Sequence, residues 1–90
     1  MIRLSGQVRC GSAADAAIVA QYLPEHIRLS RAEPGCLSFE VGQTEDPLIW
    51  SVEESFATRA DFDAHQVRTK ASVWYQATGH IPRVYEITEG

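Results

Sequence analysis

The run from Trp50 to His65, W-S-V-E-E-S-F-A-T-R-A-D-F-D-A-H, changes period part way along. Trp50, Val52, Glu54 and Phe56 share one parity, and Ser51, Glu53 and Ser55 share the other. Alternation at period two marks a half-buried strand. From Thr58 the spacing turns helical, with Thr58 as N-cap, Asp61 at the third helical position, and Phe62 and His65 three apart. This stretch is therefore a strand that hands over to a helix. Its strand carries a carboxylate, Glu54, in an aromatic row, and its helix brings an imidazole close by. Chemistry, if the chain performs any, is expected near that junction.

The remaining elements follow from the same two periods. Residues 2–10 alternate as Ile2, Leu4, Gly6, Val8 and Cys10 against Arg3, Ser5, Gln7 and Arg9, which predicts a strand with one apolar face. Ser12 and Asp15 form a weak capping box ahead of an alanine-rich helix with Ala16, Val19, Ala20, Leu23 and Ile27 on one stripe. Pro24 interrupts it, predicting either a kinked helix or two segments at about 12–23 and 24–32. Glu33-Pro34-Gly35 is a turn, because Pro presets one φ and Gly accepts a positive one. Cys36–Val41 is read as the second strand with Leu37, Phe39 and Val41 inward. A polar loop over 43–47 leads to the third strand at about 48–56. The second helix is predicted over about 58–78 with Gly79 as its stop, and a last strand over 81–88 whose inward parity is open.

The order β-α-β-β-α-β within 90 residues predicts one domain over 1–90. Its fold class is α+β and ferredoxin-like: a four-stranded antiparallel sheet with both helices on one face. The other face, carrying Arg3, Gln7, Arg9, Glu40 and Glu53, is left bare by the chain and open to water or a second sheet. So short a chain buries a modest core, which favours a symmetric homodimer through that face.

A net charge of -4 without a basic patch argues against nucleic acid. No apolar run approaches the roughly 18 residues of a membrane span, and no long hydrophobic segment opens the chain, so no membrane role and a cytoplasmic location are expected. Cys10 and Cys36 read as small buried hydrophobes rather than a disulfide framework. Gly-rich phosphate loops, nucleophile elbows and metal-binding histidine spacings are missing, and no cofactor or metal is expected.

At about 100° per residue the second helix carries two stripes. Phe62, Gln66, Thr69 and Val73 lie on one, with His65 at its edge. Ala60, Ala64, Val67 and Ala71 lie on the other, flanked by Trp74 and Tyr75 and suited to close packing. An apolar wall threaded with polar groups describes a small-molecule pocket, and equally a core edge satisfied by backbone. His65 reads either as a structural histidine or as a base near neutrality. Glu54 reads either as a structural anchor, paired with Arg59 or helix amides, or as a partner to an imidazole or substrate. Trp50 and Trp74 are core residues or a ligand platform, and Arg68 and Lys70 a solvated face. Asp61, Asp63 and His65 point to different sides, against a metal site there.

Glu33-Pro34-Gly35-Cys36-Leu37-Ser38-Phe39, then Asp46-Pro47, Glu54-Ser55-Phe56 and Phe62-Asp63-Ala64-His65, resemble in order and spacing the antibiotic biosynthesis monooxygenase family. The motifs run through about residues 30–65, and the element order covers the whole chain. The resemblance implies a dimeric α/β barrel, a homodimer formed through the sheets, and a pocket between sheet and helices. It further implies cofactor-independent oxidation of a small phenolic or quinol-type aromatic substrate with O2. Under it, His65 and Glu54 are the catalytic candidates, and Trp50, Phe62, Gln66, Thr69 and Trp74 bind substrate. The haem-degrading branch of that family fits less well, since Ser5, Gly6 and Gln7 stand where it uses a first-strand asparagine. A non-catalytic ligand-binding or assembly module of the same fold remains the competing reading, and an oxygen-independent isomerase or decarboxylase a third.

Overall fold

A computed structural model describes residues 1–90. The elements run β1 (Ile2–Arg9), α1 (Ala13–Arg31), β2 (Cys36–Gln43), β3 (Ile49–Phe56), α2 (Arg59–Lys70), α3 (Val73–Thr78) and β4 (Arg83–Glu89). The strands form one antiparallel sheet in the order β2-β3-β1-β4, the ferredoxin-like arrangement. No helix is long and apolar enough to cross a membrane.

Register explains which side chains turn inward. Leu4 pairs with Glu54 and Val8 with Trp50 across β1 and β3, so Ile2, Leu4, Val8, Trp50, Val52 and Phe56 share the helix-facing side. Val19 and Leu23 of α1, Phe62 of α2, Trp74 of α3 and Ile81 close the core over them. On β4, Tyr85 pairs with Gly6 and Ile87 with Leu4, which settles the open parity: Arg83, Tyr85 and Ile87 lie on the helix side. They remain partly exposed because β4 is an edge strand beyond the helices' cover. The opposite face is polar, with Ser5 donating to Glu53 at 2.6 Å and Arg31 paired with Glu40 at 3.2 Å.

Of the two readings at Pro24, the single helix holds, since α1 runs continuously through it. Three other local expectations need correction. Leu37 is 58% exposed rather than inward, because a bulge between Cys36 and Ser38 resets the pairing while leaving Phe39 buried. The second helix is two helices: Ala71 caps the end of α2, and the Ser72 hydroxyl accepts from Tyr75 N–H to start α3. Finally, the alanine stripe of α2 faces solvent, with Ala60, Ala64 and Ala71 exposed and Val67 73% exposed. The Phe62, His65, Gln66 and Thr69 stripe is the one turned to the sheet.

Gly35 shows why the turn before β2 demands glycine. Its φ is +83°, and a Cβ there would lie 2.1 Å from the Asp61 carboxylate. Thr58 caps α2, its hydroxyl accepting from the Asp61 N–H and donating to the Asp61 carboxylate. The turn, the start of α2 and Glu33 are thereby fixed against one another.

Candidate active site

His65 projects from α2 toward β3 and is 2% exposed. Its Nδ1 lies 2.8 Å from Glu33 Oε1, and its Nε2 lies 3.3 Å from Thr69 Oγ1 and 3.4 Å from Glu54 Oε1. The second carboxylate contact is an ion-pair distance without hydrogen-bond alignment. Glu54 Oε1 is enclosed with no donor of its own. Glu33 Oε1 also accepts from Arg68 Nη2 at 2.9 Å, and the same nitrogen donates to Ser30 Oγ at 2.9 Å. One connected path therefore runs Ser30–Arg68–Glu33–His65–Glu54, joining α1, the turn, α2 and β3.

Opposing forces act on the His65 imidazole. Burial disfavours its charged form, but attraction from Glu54 and the hydrogen bond and charge of Glu33 outweigh burial and raise its pKa above the ordinary value. The ring therefore keeps its proton to higher pH than a free histidine. The two carboxylates address opposite ring nitrogens, so they do not converge on one point as metal ligands would, and no His, Cys, Asp and Glu cluster forms elsewhere.

A cavity of about 140 Å3 adjoins this path. Leu4, Val8, Phe39, Val41 and Val52 from the sheet and Trp74 from α3 give it apolar walls. Glu54, His65, Gln66 and Thr69 supply polar groups, as do Arg83 and Tyr85 of β4 and His26 of α1. Arg83 is fixed by three hydrogen bonds, to the carbonyls of Thr78 and Ile81 and to Thr78 Oγ1, and its guanidinium lies over the Trp74 ring at 5.8 Å. Burial raises the Tyr85 phenol, with nearby Arg83 opposing it.

Five sequence candidates thus meet at one cavity: Glu54, His65, Gln66, Thr69 and Trp74. Trp50 and Phe62 do not line it. Trp50 pairs across from Val8 and is buried in the sheet core. Phe62 lies edge-on to Phe56 at 5.6 Å beneath the Arg59 guanidinium. Arg59 pairs with Asp63 and Glu89, not with Glu54, whose charged neighbour is His65. Arg68 is not a solvated residue but the half-buried cation of the path.

The sequence reading also passed over Glu33, His26, Arg83 and Tyr85. Glu33 was visible only as part of a turn. His26 had a signal: Val19, Leu23, His26 and Ser30 recur at helical spacing, and all four are buried. His26 stacks flat on Trp74 with centroids 4.8 Å apart, and meets Phe39 edge-on. Burial first, then the positive charges of Arg68, His65 and Arg83, lower its pKa to about 3, so it stays neutral.

Comparison with known proteins agrees with this architecture. A protein from Nitrosomonas europaea classed with the antibiotic biosynthesis monooxygenases superposes with a TM-score of 0.82 at 21% identity, over 100% of this chain and 98% of that one. A similarly classed protein from Deinococcus radiodurans gives 0.85 at 21% identity, over 100% and 92%. One from Caulobacter crescentus gives 0.77 at 17%, over 99% and 88%. At such identities the likeness concerns the fold. A search of curated proteins finds no significant relative. The family description "antibiotic biosynthesis monooxygenase" matches residues 1–76, which include every residue of the Glu33–His65–Glu54 path, and the chain belongs to that family.

Proposed function

We propose that this protein is a cofactor-independent monooxygenase that oxidises a small phenolic or quinol-type aromatic with O2. The observation that carries the reading is the cavity shared by the Glu54 carboxylate, the His65 imidazole and the Arg83 guanidinium. At about 140 Å3 it is close to the roughly 150 Å3 of an apolar protein cavity that holds benzene, so it suits one aromatic ring.

In the proposed reaction a phenol with a free ring position and O2 give a quinone and water. One oxygen atom becomes the new carbonyl and the other leaves in water with the phenolic and ring hydrogens. The substrate supplies all four electrons, so no external reductant enters. Deprotonation starts the sequence, because a phenolate gives up an electron to O2 far more readily than a phenol. The Glu54–His65 pair takes that proton, with Glu33 holding the ring from behind. Arg83 stabilises the phenolate oxygen, while Gln66 and Thr69 orient the ring against Trp74. The apolar walls keep water from the intermediate. A second copy of this chain covers the polar outer sheet face, giving a cytoplasmic homodimer; a monomer mass in sedimentation equilibrium at micromolar concentration would oppose that part.

Oxygen uptake on single-ring phenols and quinols, without added flavin or metal, tests the reaction. Turnover is expected, falling about 100-fold or more in Glu54→Gln and in His65→Ala. Unchanged rates in both variants would remove these residues from the chemistry. No turnover, combined with ligand-dependent thermal stabilisation, would instead favour a binding module.

A further inference from the structure

A second concavity, of about 540 Å3, opens between α1 and the junction of α2 with α3. Its size falls within the roughly 300–1,000 Å3 typical of small-molecule sites. The break at Ala71 and Ser72 produces it, since α3 leaves the line of α2 and packs against α1. Tyr22 and Leu29 of α1 and Val73 and Trp74 of α3 form apolar walls.

Its polar lining is Arg68, His26, Glu25 and Ser72. Arg68 uses Nη2 on Ser30 and Glu33, while its Nε and Nη1 are enclosed with no protein partner. His26, 6% exposed, also has an unpartnered Nδ1. The one acid at this groove, Glu25, is engaged by Arg28 in an exposed ion pair. Enclosed N–H donors without an acceptor are unfavourable, and either free nitrogen of Arg68 can give one charge-assisted hydrogen bond to a carboxylate oxygen.

We propose that this groove binds a small aromatic carboxylate, with its ring against Tyr22, Leu29, Val73 and Trp74 and its carboxylate on Arg68. The site is distinct from the oxygen chemistry proposed above and does not rest on it. The stacked rings of His26 and Trp74 form the wall between groove and inner cavity, since both residues line both spaces. Occupancy reaches His65 through a shared atom: Arg68 Nη2 and His65 Nδ1 both contact Glu33 Oε1. A carboxylate that draws Arg68 toward the groove leaves Glu33 more fully to His65, so the bound protein should hold the imidazolium to higher pH.

Titration of the labelled protein with 2-naphthoate under nitrogen, followed by 1H–15N spectra, tests the proposal. Saturable shifts of the Arg68 Nε–H and the Trp74 indole N–H are expected, with the neutral 2-naphthamide binding about tenfold or more weakly. Val73→Trp, at a position 62% exposed on the groove wall, is expected to abolish binding with the fold intact by circular dichroism. Ala71→Phe serves the same end should that variant fail to fold. Equal affinity for the amide, binding retained in the filled variants, or shifts at Leu4 and Tyr85 in place of Arg68 would each overturn the proposal. Because nothing is turned over under nitrogen, loss of the oxygenase reading would leave this result standing.

Discussion

Replacing Glu33 by Gln removes a charge while keeping an oxygen where Oε1 now stands. That oxygen serves Arg68 Nη2 at 2.9 Å and His65 Nδ1 at 2.8 Å, and the Glu33 side chain is 15% exposed, so solvent screens it little. Hydrogen bonds to charged groups contribute roughly 1.5–3 kcal/mol each, about twice the neutral value. Losing the charge but not the geometry therefore costs about 0.8–1.5 kcal/mol per bond, or about 1.5–3 kcal/mol for both. The two halves differ in pH dependence. Arg68 is charged throughout, whereas the His65 half exists only while the ring is protonated. His65 has a folded pKa raised above its ordinary 6.5, so its contribution is complete below that value and lost as pH rises through the folded pKa. Urea denaturation of wild type and Glu33→Gln at about pH 6 and about pH 9.5 should show the penalty falling by about half at the higher pH. An equal penalty at both values, or one below about 0.5 kcal/mol at the lower, would refute the assignment of Glu33 as His65's electrostatic partner.

Two further outcomes follow from residues around the site. His26, buried and lowered to about pKa 3, binds a proton in the unfolded chain below 6.5 but not in the folded one. Stability is therefore complete above that value and falls with acid; His26→Phe should relieve about 2–3 kcal/mol of the loss between about pH 7.5 and 4.5, read by urea denaturation. Gly35→Ala combines a positive φ with a contact on Asp61, and should cost about 1–3 kcal/mol and lower Tm by several degrees in a calorimetric scan. A change below about 0.5 kcal/mol would mean that the turn relaxes freely.

Tightness of the Glu33-Pro34-Gly35 turn also connects stability to the site. The turn Glu33-Pro34-Gly35 between α1 and β2 carries the carboxylate behind His65, and Asp61 in the first turn of the helix bearing His65 packs against Gly35. A carboxylate on so constrained a turn needs little further ordering if a ligand binds beside it.

Period and punctuation in the sequence were enough for the element order, the sheet class and the inward phase of Trp50, Val52, Glu54 and Phe56. These depend on each residue's place in its own strand or helix. The Phe62–His65–Gln66–Thr69 stripe was legible for the same reason, but which of the two helix faces met the sheet was not, because small alanines suit either packing or solvent. The bulge that expels Leu37 and the break at Ser72 came from competition between local pattern and tertiary fit. Glu33 beside His65 and Arg68 across to Ser30 join residues more than 30 positions apart, and no local spacing encodes such a meeting. Burial and charge on His26 and His65 follow from those meetings. The sequence alone determined that an imidazole and a carboxylate would share one strand-to-helix junction. Tertiary structure decided that a second carboxylate stands behind the imidazole, because only packing brings the end of α1 against α2.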